Sequence, residues 1–363
     1  MSLFSFTDWQ NDILGDDFEM KQVVHKEDKH NVISSIIRLK TNIPSKFGIL
    51  YIHGYNDYFY QHEMAHKFNS FGFSFYAIDL RKYGILYIHG YNDYFYQHEM
   101  AHKFDSYGFS FYAIDLRKYG RSLKENDTPF EIKNIENYFP DINVALTQMQ
   151  HDGIEKIILM GHSTGGLIAC SYLNNIENSA IIGLILNSPF LEWNLKPILK
   201  KIAIPIVSCI GKFIPTISIK QPTTIPYAHS LLKAYHGEWD FNTNWKFIQA
   251  PNVTSQWIRA INIAQKKLHK SSLIKIPILL LRSSSSVYGN RWTKDFNRGD
   301  AILNVNDISK YGKKLGQNVH EVVCPNGLHD LVLSNNDTRN FVYSTIFNWI
   351  KRHGFCHKSF RQS

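Results

Sequence analysis

The sequence is poor in cysteine: Cys170, Cys209, Cys324 and Cys356 are the only four among 363 residues, and no two form a Cys-x-x-Cys pair. That excludes a cysteine zinc finger and the dense disulfide framework of a small secreted domain, and it fits a reducing compartment. No apolar run approaches the roughly 20 residues a membrane-spanning helix needs. Residues Met1 to Asp17 carry acidic and polar side chains where a secretory leader has a basic start and an apolar stretch. A soluble, cytoplasmic protein is expected. Blocks of like charge are missing too: the formal net charge is +9, but lysine and arginine are scattered along the chain. That pattern suits an ordinary basic enzyme surface and gives no reason to expect a nucleic-acid partner.

What is present is apolar substance. At 44% hydrophobic and 14% aromatic residues, the chain can bury a large core, and one α/β domain over residues 1–363 with insertions is expected.

The chain also repeats itself. Residues 48–83 recur as residues 84–119, differing only at Asn69/Asp105 and Phe71/Tyr107. Each copy reads as a strand, a His-Gly turn, a helix and a second strand ending in Asp-Leu-Arg-Lys-Tyr-Gly, a βαβ unit that needs parallel pairing and a right-handed crossover. Only Leu80 to Gly84 join the copies, whereas parallel neighbours need a connection of roughly a dozen residues or more. The copies therefore cannot occupy one parallel sheet in the same way. The second, which runs on directly into the downstream half, is expected in the sheet and the first displaced from it.

Beyond the repeat, the apolar run Ile154 to Met160 leads into Gly161-His162-Ser163-Thr164-Gly165-Gly166 and a helical stretch to Asn175. This is strand, Gly-x-Ser-x-Gly, helix: the glycines are required because a Cβ beside the serine would strike the neighbouring strand or helix, and the tight turn lifts the hydroxyl toward substrate. Ser163 is the expected nucleophile. A last strand, Val319 to Cys324, precedes His329, well placed as general base. After a strand at Ile276 to Leu281, Asp295, Asp300 and Asp307 are all candidates for the acid that orients the imidazole. Asp307 has the look of a cap on a helix over Ile308 to Leu315. Backbone N–H groups at Thr164 and at Tyr91, or its twin Tyr55, are the expected oxyanion donors.

At these residues the chain resembles the α/β hydrolases of the monoacylglycerol lipase, lysophospholipase and serine aminopeptidase type. The resemblance rests on His-Gly-Tyr-Asn-Asp-Tyr, Asp-Leu-Arg-Lys-Tyr-Gly-Arg-Ser, Gly-His-Ser-Thr-Gly-Gly, Asp300-Ala-Ile-Leu-Asn-Val and Leu328-His329-Asp330, and spans about Val32 to Arg352. It implies the α/β-hydrolase fold, a mostly parallel sheet flanked by helices. It also implies that Asp300 is the triad acid and that no cofactor or metal is used. The chain departs from the lipases in its duplication and in the serine run Ser283 to Ser286 with the long loop to Asp300.

Residues 191–272 fall where such enzymes insert a cap. Its segment Lys196 to Pro215 mixes isoleucine, leucine and phenylalanine with lysines, which suits either peripheral membrane contact or a helix packed on its own domain. Glu238 and Trp239 suit the pocket mouth, as substrate-binding candidates, and suit ordinary packing within the cap equally well. The function these features suggest is hydrolysis of a small-molecule or lipid carboxylic ester through an acyl-enzyme on Ser163. The alternatives are a peptidase of the same fold, or a binding protein whose site the duplication has damaged. His62-Glu63-Met64-Ala65-His66 and its copy His98 to His102 fit the H-E-x-x-H zinc pattern. They amount to one observation made twice, with no third ligand following, so zinc is not expected.

Overall fold

The computed structural model describes residues 4–12, 14–27, 30–40, 45, 48–52, 61–79, 83–272 and 274–355. The N-terminal part is an antiparallel set: β1 (Phe4–Phe6), β2 (Gln10–Asp12), β3 (Gly15–Glu27) and β4 (His30–Leu39). The first repeat copy follows as β5 (Gly48–Ile52), α1 (His62–Ser70) and β6 (Ser74–Asp79). β6 pairs antiparallel with β4 and parallel with β5, giving the order β1-β3-β4-β6-β5 with β2 beside β3.

The second copy is β7 (Tyr83–Ile88), α2 (His98–Ser106) and β8 (Ser110–Ile114). It belongs to a different sheet, continued by α3 (Phe139–His151), β9 (Lys156–His162), α4 (Thr164–Asn175) and β10 (Ile181–Asn187). Residues 188–277 hold α5 (Ile204–Phe213), β11 (Ser218–Ile219), α6 (Ile225–Leu231), β12 (Val253–Thr254) and α7 (Ser255–Lys270). The chain then returns through β13 (Ile278–Ser283), α8 (Val305–Gly312), β14 (Val319–Cys324) and α9 (Asn336–Arg352). The strand order is β14-β13-β10-β9-β7-β8, and every pairing in this sheet is parallel.

A parallel sheet must be covered on both faces, and the strand sequences meet that need by alternation. Leu86, Ile88, Leu159, Leu186 and Leu280 point into the core under α3, α4 and α7. Ile85, Tyr87, Met160, Ile185 and Leu281 point into the opposite core, against α2 and α9. The N-terminal sheet has a small core of its own, Phe18, Ile37, Leu39, Ala65 and Phe75. The chain from Asp79 to Tyr83 is far too short for a parallel crossover, and β6 and β7 accordingly lie in separate sheets.

One local expectation is corrected. Asp307 does not cap α8: the helix begins earlier, and the Asn304 carboxamide oxygen accepts the N–H groups of Asn306 (2.9 Å) and Asp307 (3.4 Å). Asp307 sits within the first turn and pairs with Lys200.

Among the described residues, no helix is long and apolar enough to cross a membrane.

Candidate active site

The sharp turn after β9 is built from residues that leave no alternative. Ser163 has φ 51° and ψ −117°, a left-handed conformation that costs a non-glycine residue about 1–3 kcal/mol and persists only where its surroundings enforce it. A Cβ on Gly161 would come within 2.7 Å of the Gly165 carbonyl oxygen and of Gly166 Cα. A Cβ on Gly165 would come within 2.2 Å of the Ile88 carbonyl oxygen. The Ser163 N–H donates to the Asn187 carbonyl on the neighbouring strand, and its carbonyl accepts from Phe190 N–H. Strand end, turn and helix start are thereby locked together with the hydroxyl held at the cavity wall.

His329 stands opposite. Its Nε2 lies 2.9 Å from Ser163 Oγ and its Nδ1 2.9 Å from Asp300 Oδ2. A carboxylate only accepts, so Nδ1 carries the proton and Nε2 is left to accept from the serine hydroxyl. Asp300 is fully buried. Its second oxygen takes the N–H groups of Ile302 (2.8 Å) and Leu303 (2.7 Å). The serine run explains how the long loop is held: Asp300 N–H donates to the Ser285 carbonyl, and its own carbonyl accepts from Val287 N–H. The Ser286 hydroxyl donates to the Leu303 carbonyl and accepts Val305 N–H. Asp295, another of the three candidate acids, lies in a short 3-10 turn over Lys294–Asn297.

Around this constellation is a buried polar network that motif reasoning did not assign. Asp330, next to His329, accepts from Asn187 Nδ2 (2.7 Å) and from Gln97 Nε2 (3.1 Å). The Asn187 carboxamide oxygen accepts Leu331 N–H in return. The His loop is thus tied to the end of β10 and to the start of α2. The available signal was an asparagine closing the apolar strand Ile181 to Leu186, since a buried amide needs partners.

Behind Ser163 the loop that follows β7 is fixed from within. His89 Nε2 accepts Leu116 N–H (3.0 Å), so its Nδ1 bears the proton and donates to the Gly90 carbonyl (2.8 Å). Burial holds the His89 ring below its usual pKa, which keeps it in this neutral form. Gly90 lies so close to Ser163 that an added Cβ would stand 3.1 Å from the serine Cβ. Tyr91 follows it, and Thr164 opens α4, where the first N–H groups have no partner within the helix. Tyr55 lies outside the described residues.

The site lies in a cavity of about 520 Å³ whose walls are mainly apolar, with Phe190, Trp193, Leu195 and Trp257 among them. Among the described residues, Asp93 is the only carboxylate lining it, and Lys246 Nζ sits 2.7 Å from Asp93 Oδ1 with both side chains buried. Burial alone would raise the Asp93 pKa; the Lys246 ammonium beside it reverses that and holds the carboxyl below its usual range.

Neither Glu238 nor Trp239 lines this cavity. Gly237 packs onto the Leu231 backbone too tightly for any Cβ, and the turn carries its next residues away from the pocket. Glu238 pairs with Arg339 at 2.6 Å, and Trp239 Nε1 donates to the Leu333 carbonyl at 2.8 Å.

The H-E-x-x-H histidines are exposed in both copies, and Glu99 of the second pairs with Arg339. Among the described residues, the one group of three potential metal ligands is Asp93, His162 and Asp330. There the Lys246 ammonium already occupies Asp93, and amides occupy Asp330.

The family described as "Serine aminopeptidase, S33" matches residues 81–296, a span that takes in Ser163 and ends short of Asp300 and His329. No curated protein matches the chain. Among solved structures, the chain is similar to a monoacylglycerol lipase from Paleococcus ferrophilus, at 17% identity over 74% of this chain and 94% of that one, with a TM-score of 0.56. It is also similar to a soluble variant of monoglyceride lipase from Saccharomyces cerevisiae, in complex with a substrate analog. That match has 16% identity over 95% of this chain and 94% of the other, with a TM-score of 0.57. At such identities the likeness is one of fold.

Proposed function

The chain belongs to the serine aminopeptidase family of α/β hydrolases, and from that membership we propose that it cleaves carboxylic esters through an acyl-enzyme on Ser163. The observation that carries the proposal is the hydrogen-bonded line Asp300, His329, Ser163 on the wall of the cavity. His329 takes the hydroxyl proton, Ser163 Oγ attacks the carbonyl carbon, and the N–H groups of Thr164 and Tyr91 receive the oxyanion. His329 then returns the proton to the departing alcohol, and water releases the acid by the same steps.

An ester is favoured over a peptide with a free N-terminus by the charge on the walls. An aminopeptidase needs an anion to hold the substrate ammonium, and the one carboxylate that lines the cavity among the described residues, Asp93, is already neutralised by Lys246. An apolar acyl chain fits the remaining walls. A hydrophobic face on the cap adds to the case for a lipid-like substrate. Ile198, Ile202, Ile206 and Phe213 are exposed along and before α5, among Lys196, Lys200, Lys201 and Lys212. With Lys200 already paired to Asp307, the exposed Lys196, Lys201 and Lys212 beside this apolar face suit peripheral contact with an anionic lipid surface. Co-sedimentation with anionic vesicles should weaken in Phe213→Ser; undiminished binding would remove that part of the proposal.

The deciding experiment is labelling with a fluorophosphonate alongside hydrolysis of short p-nitrophenyl esters. Label is expected on Ser163, and Ser163→Ala should lower turnover by roughly 10⁴-fold or more while leaving the fold intact. A folded Ser163→Ala protein with unchanged turnover would refute the assignment.

A further inference from the structure

Most of the oxyanion loop is bonded to the cap. From the cap, the Asn242 N–H donates to Tyr94 Oη (2.8 Å), and the Tyr91 hydroxyl donates to the Pro251 carbonyl (3.1 Å). Between these two bonds the contact tightens. The Asn92 carboxamide forms a closed pair with the Phe247 backbone, accepting its N–H and donating to its carbonyl, both at 2.8 Å. Lys246 reaches Asp93 at 2.7 Å, and its ammonium also lies over the Tyr96 ring (5.1 Å) and the Phe241 ring (5.5 Å).

The loop so held is strained and needs holding. Asn92 has φ 49°, a conformation asparagine tolerates better than most residues but does not prefer. On its other side the loop is tied to the sheet core through His89, Gly90 and Leu116. The peptide joining Gly90 to Tyr91 is therefore fixed at one end by the sheet core and at the other by the cap. An oxyanion donor stabilises the transition state only if its N–H is already aimed at the developing charge.

Resting on the ester-hydrolase reading above, we propose that Lys246 and Phe247 are positioning residues for acyl transfer. Through Asp93 and Asn92 they hold the Tyr91 N–H where the oxyanion forms, so the donor is in place only while the cap is seated. The cap then contributes to the rate of the chemical step as well as covering the acyl chain.

Kinetics on p-nitrophenyl butyrate separate this from a purely binding or structural role. An interaction made only in the transition state lowers kcat and kcat/KM together, while a contact that merely binds substrate raises KM. Asn92→Gly keeps the left-handed backbone and removes both bonds to Phe247; it should lower kcat roughly 10- to 100-fold with KM within about two-fold. Lys246→Met should do the same by leaving a buried carboxylate without its cation. Adding Asp93→Asn to Lys246→Met should restore much of the loss, because a neutral amide needs no cation. If Lys246→Met does not fold, Asn92→Gly decides the matter alone. A higher KM at unchanged kcat, or wild-type kinetics in Asn92→Gly, overturns the proposal. A wild-type protein no faster than Ser163→Ala overturns the ester-hydrolase reading itself, which keeps the two failures distinct.

Discussion

The two copies of the repeated unit have almost one sequence and two environments. Leu86 in β7 is 0% exposed, whereas its counterpart Leu50 in β5 is 56% exposed. In α2, Met100 and Phe104 are buried; in α1 the same positions, Met64 and Phe68, are only partly covered, and Ala65 is the buried residue. Tyr107 stacks on Phe347 of α9 with ring centroids 3.5 Å apart, while Phe71 at the matching position is 70% exposed. Local propensity is the same in both copies, and both form strand, helix and strand. The difference comes from their neighbours: β7 lies against β9, with helices on both faces, whereas among the described residues β5 is the outer strand of a sheet whose core is the small cluster around Phe18 and Phe75.

The largest consequence of that contrast is energetic. Leu86→Ala should destabilise the protein by about 2–5 kcal/mol, as expected for a leucine removed from a closed core. Leu50→Ala should stay within about 0.5 kcal/mol, as for an exposed position. Chemical denaturation followed by tryptophan fluorescence checks both. Comparable losses would mean that β5 is covered in solution and that the two environments are alike.

The same distinction explains how far the site could be read from sequence. The turn at Ser163 is legible from its own pattern although only part of its geometry is local: Gly161 is demanded by Gly165 and Gly166, and Gly165 by the Ile88 and His89 backbone at the end of the neighbouring strand, all within 3 Å of the missing Cβ. His329, following the last strand, is nearly as local. Asp300 was one of three acids until the family resemblance singled it out, because its choice depends on N–H groups at Ile302 and Leu303 and on pairing with Ser285 and Val287. Asn187, Gln97, Asp330 and Lys246 lie far apart in the chain and were assigned no role, since a buried polar group is recognised by its partners. Glu238 and Trp239 went the other way: their residue types suit a pocket, but the tight turn at Gly237 hands them to Arg339 and Leu333. The parallel sheet was legible from its apolar strand runs and from the strand-helix-strand order of the repeat. That the antiparallel β4 pairs with the first copy was not, because β6 and β8 offer it the same residues.

That degeneracy makes the smallest expected effect the most informative. Removing residues 48–83 or residues 84–119 leaves nearly the same chain, differing at two positions. In either product a single unit must do what two now share. Nothing in the pairing forbids this. Among the described residues, β8 uses one edge for β7 and its other edge has no strand beside it, whereas β6 uses both, for β5 and β4; β5 has an open outer edge where β7 has β9. The registers within the copies are equivalent, Gly48 opposite Ser74 and Gly84 opposite Ser110. A lone unit can thus pair with β4 on one side and β9 on the other, joining the two sheets into one and eliminating two open edges, which are a liability in themselves. Both deletions should therefore hydrolyse esters within about three-fold of the full chain and of each other, and unfold in one transition at equal or higher denaturant concentration. If only one retained activity, the exchanges at Asn69/Asp105 and Phe71/Tyr107 would have to decide the outcome, and the stacking of Tyr107 on Phe347 would be the place to look. If both were inactive, the split sheet itself would be a requirement of the site, and the first copy would have a part in catalysis that its exposed strand does not suggest.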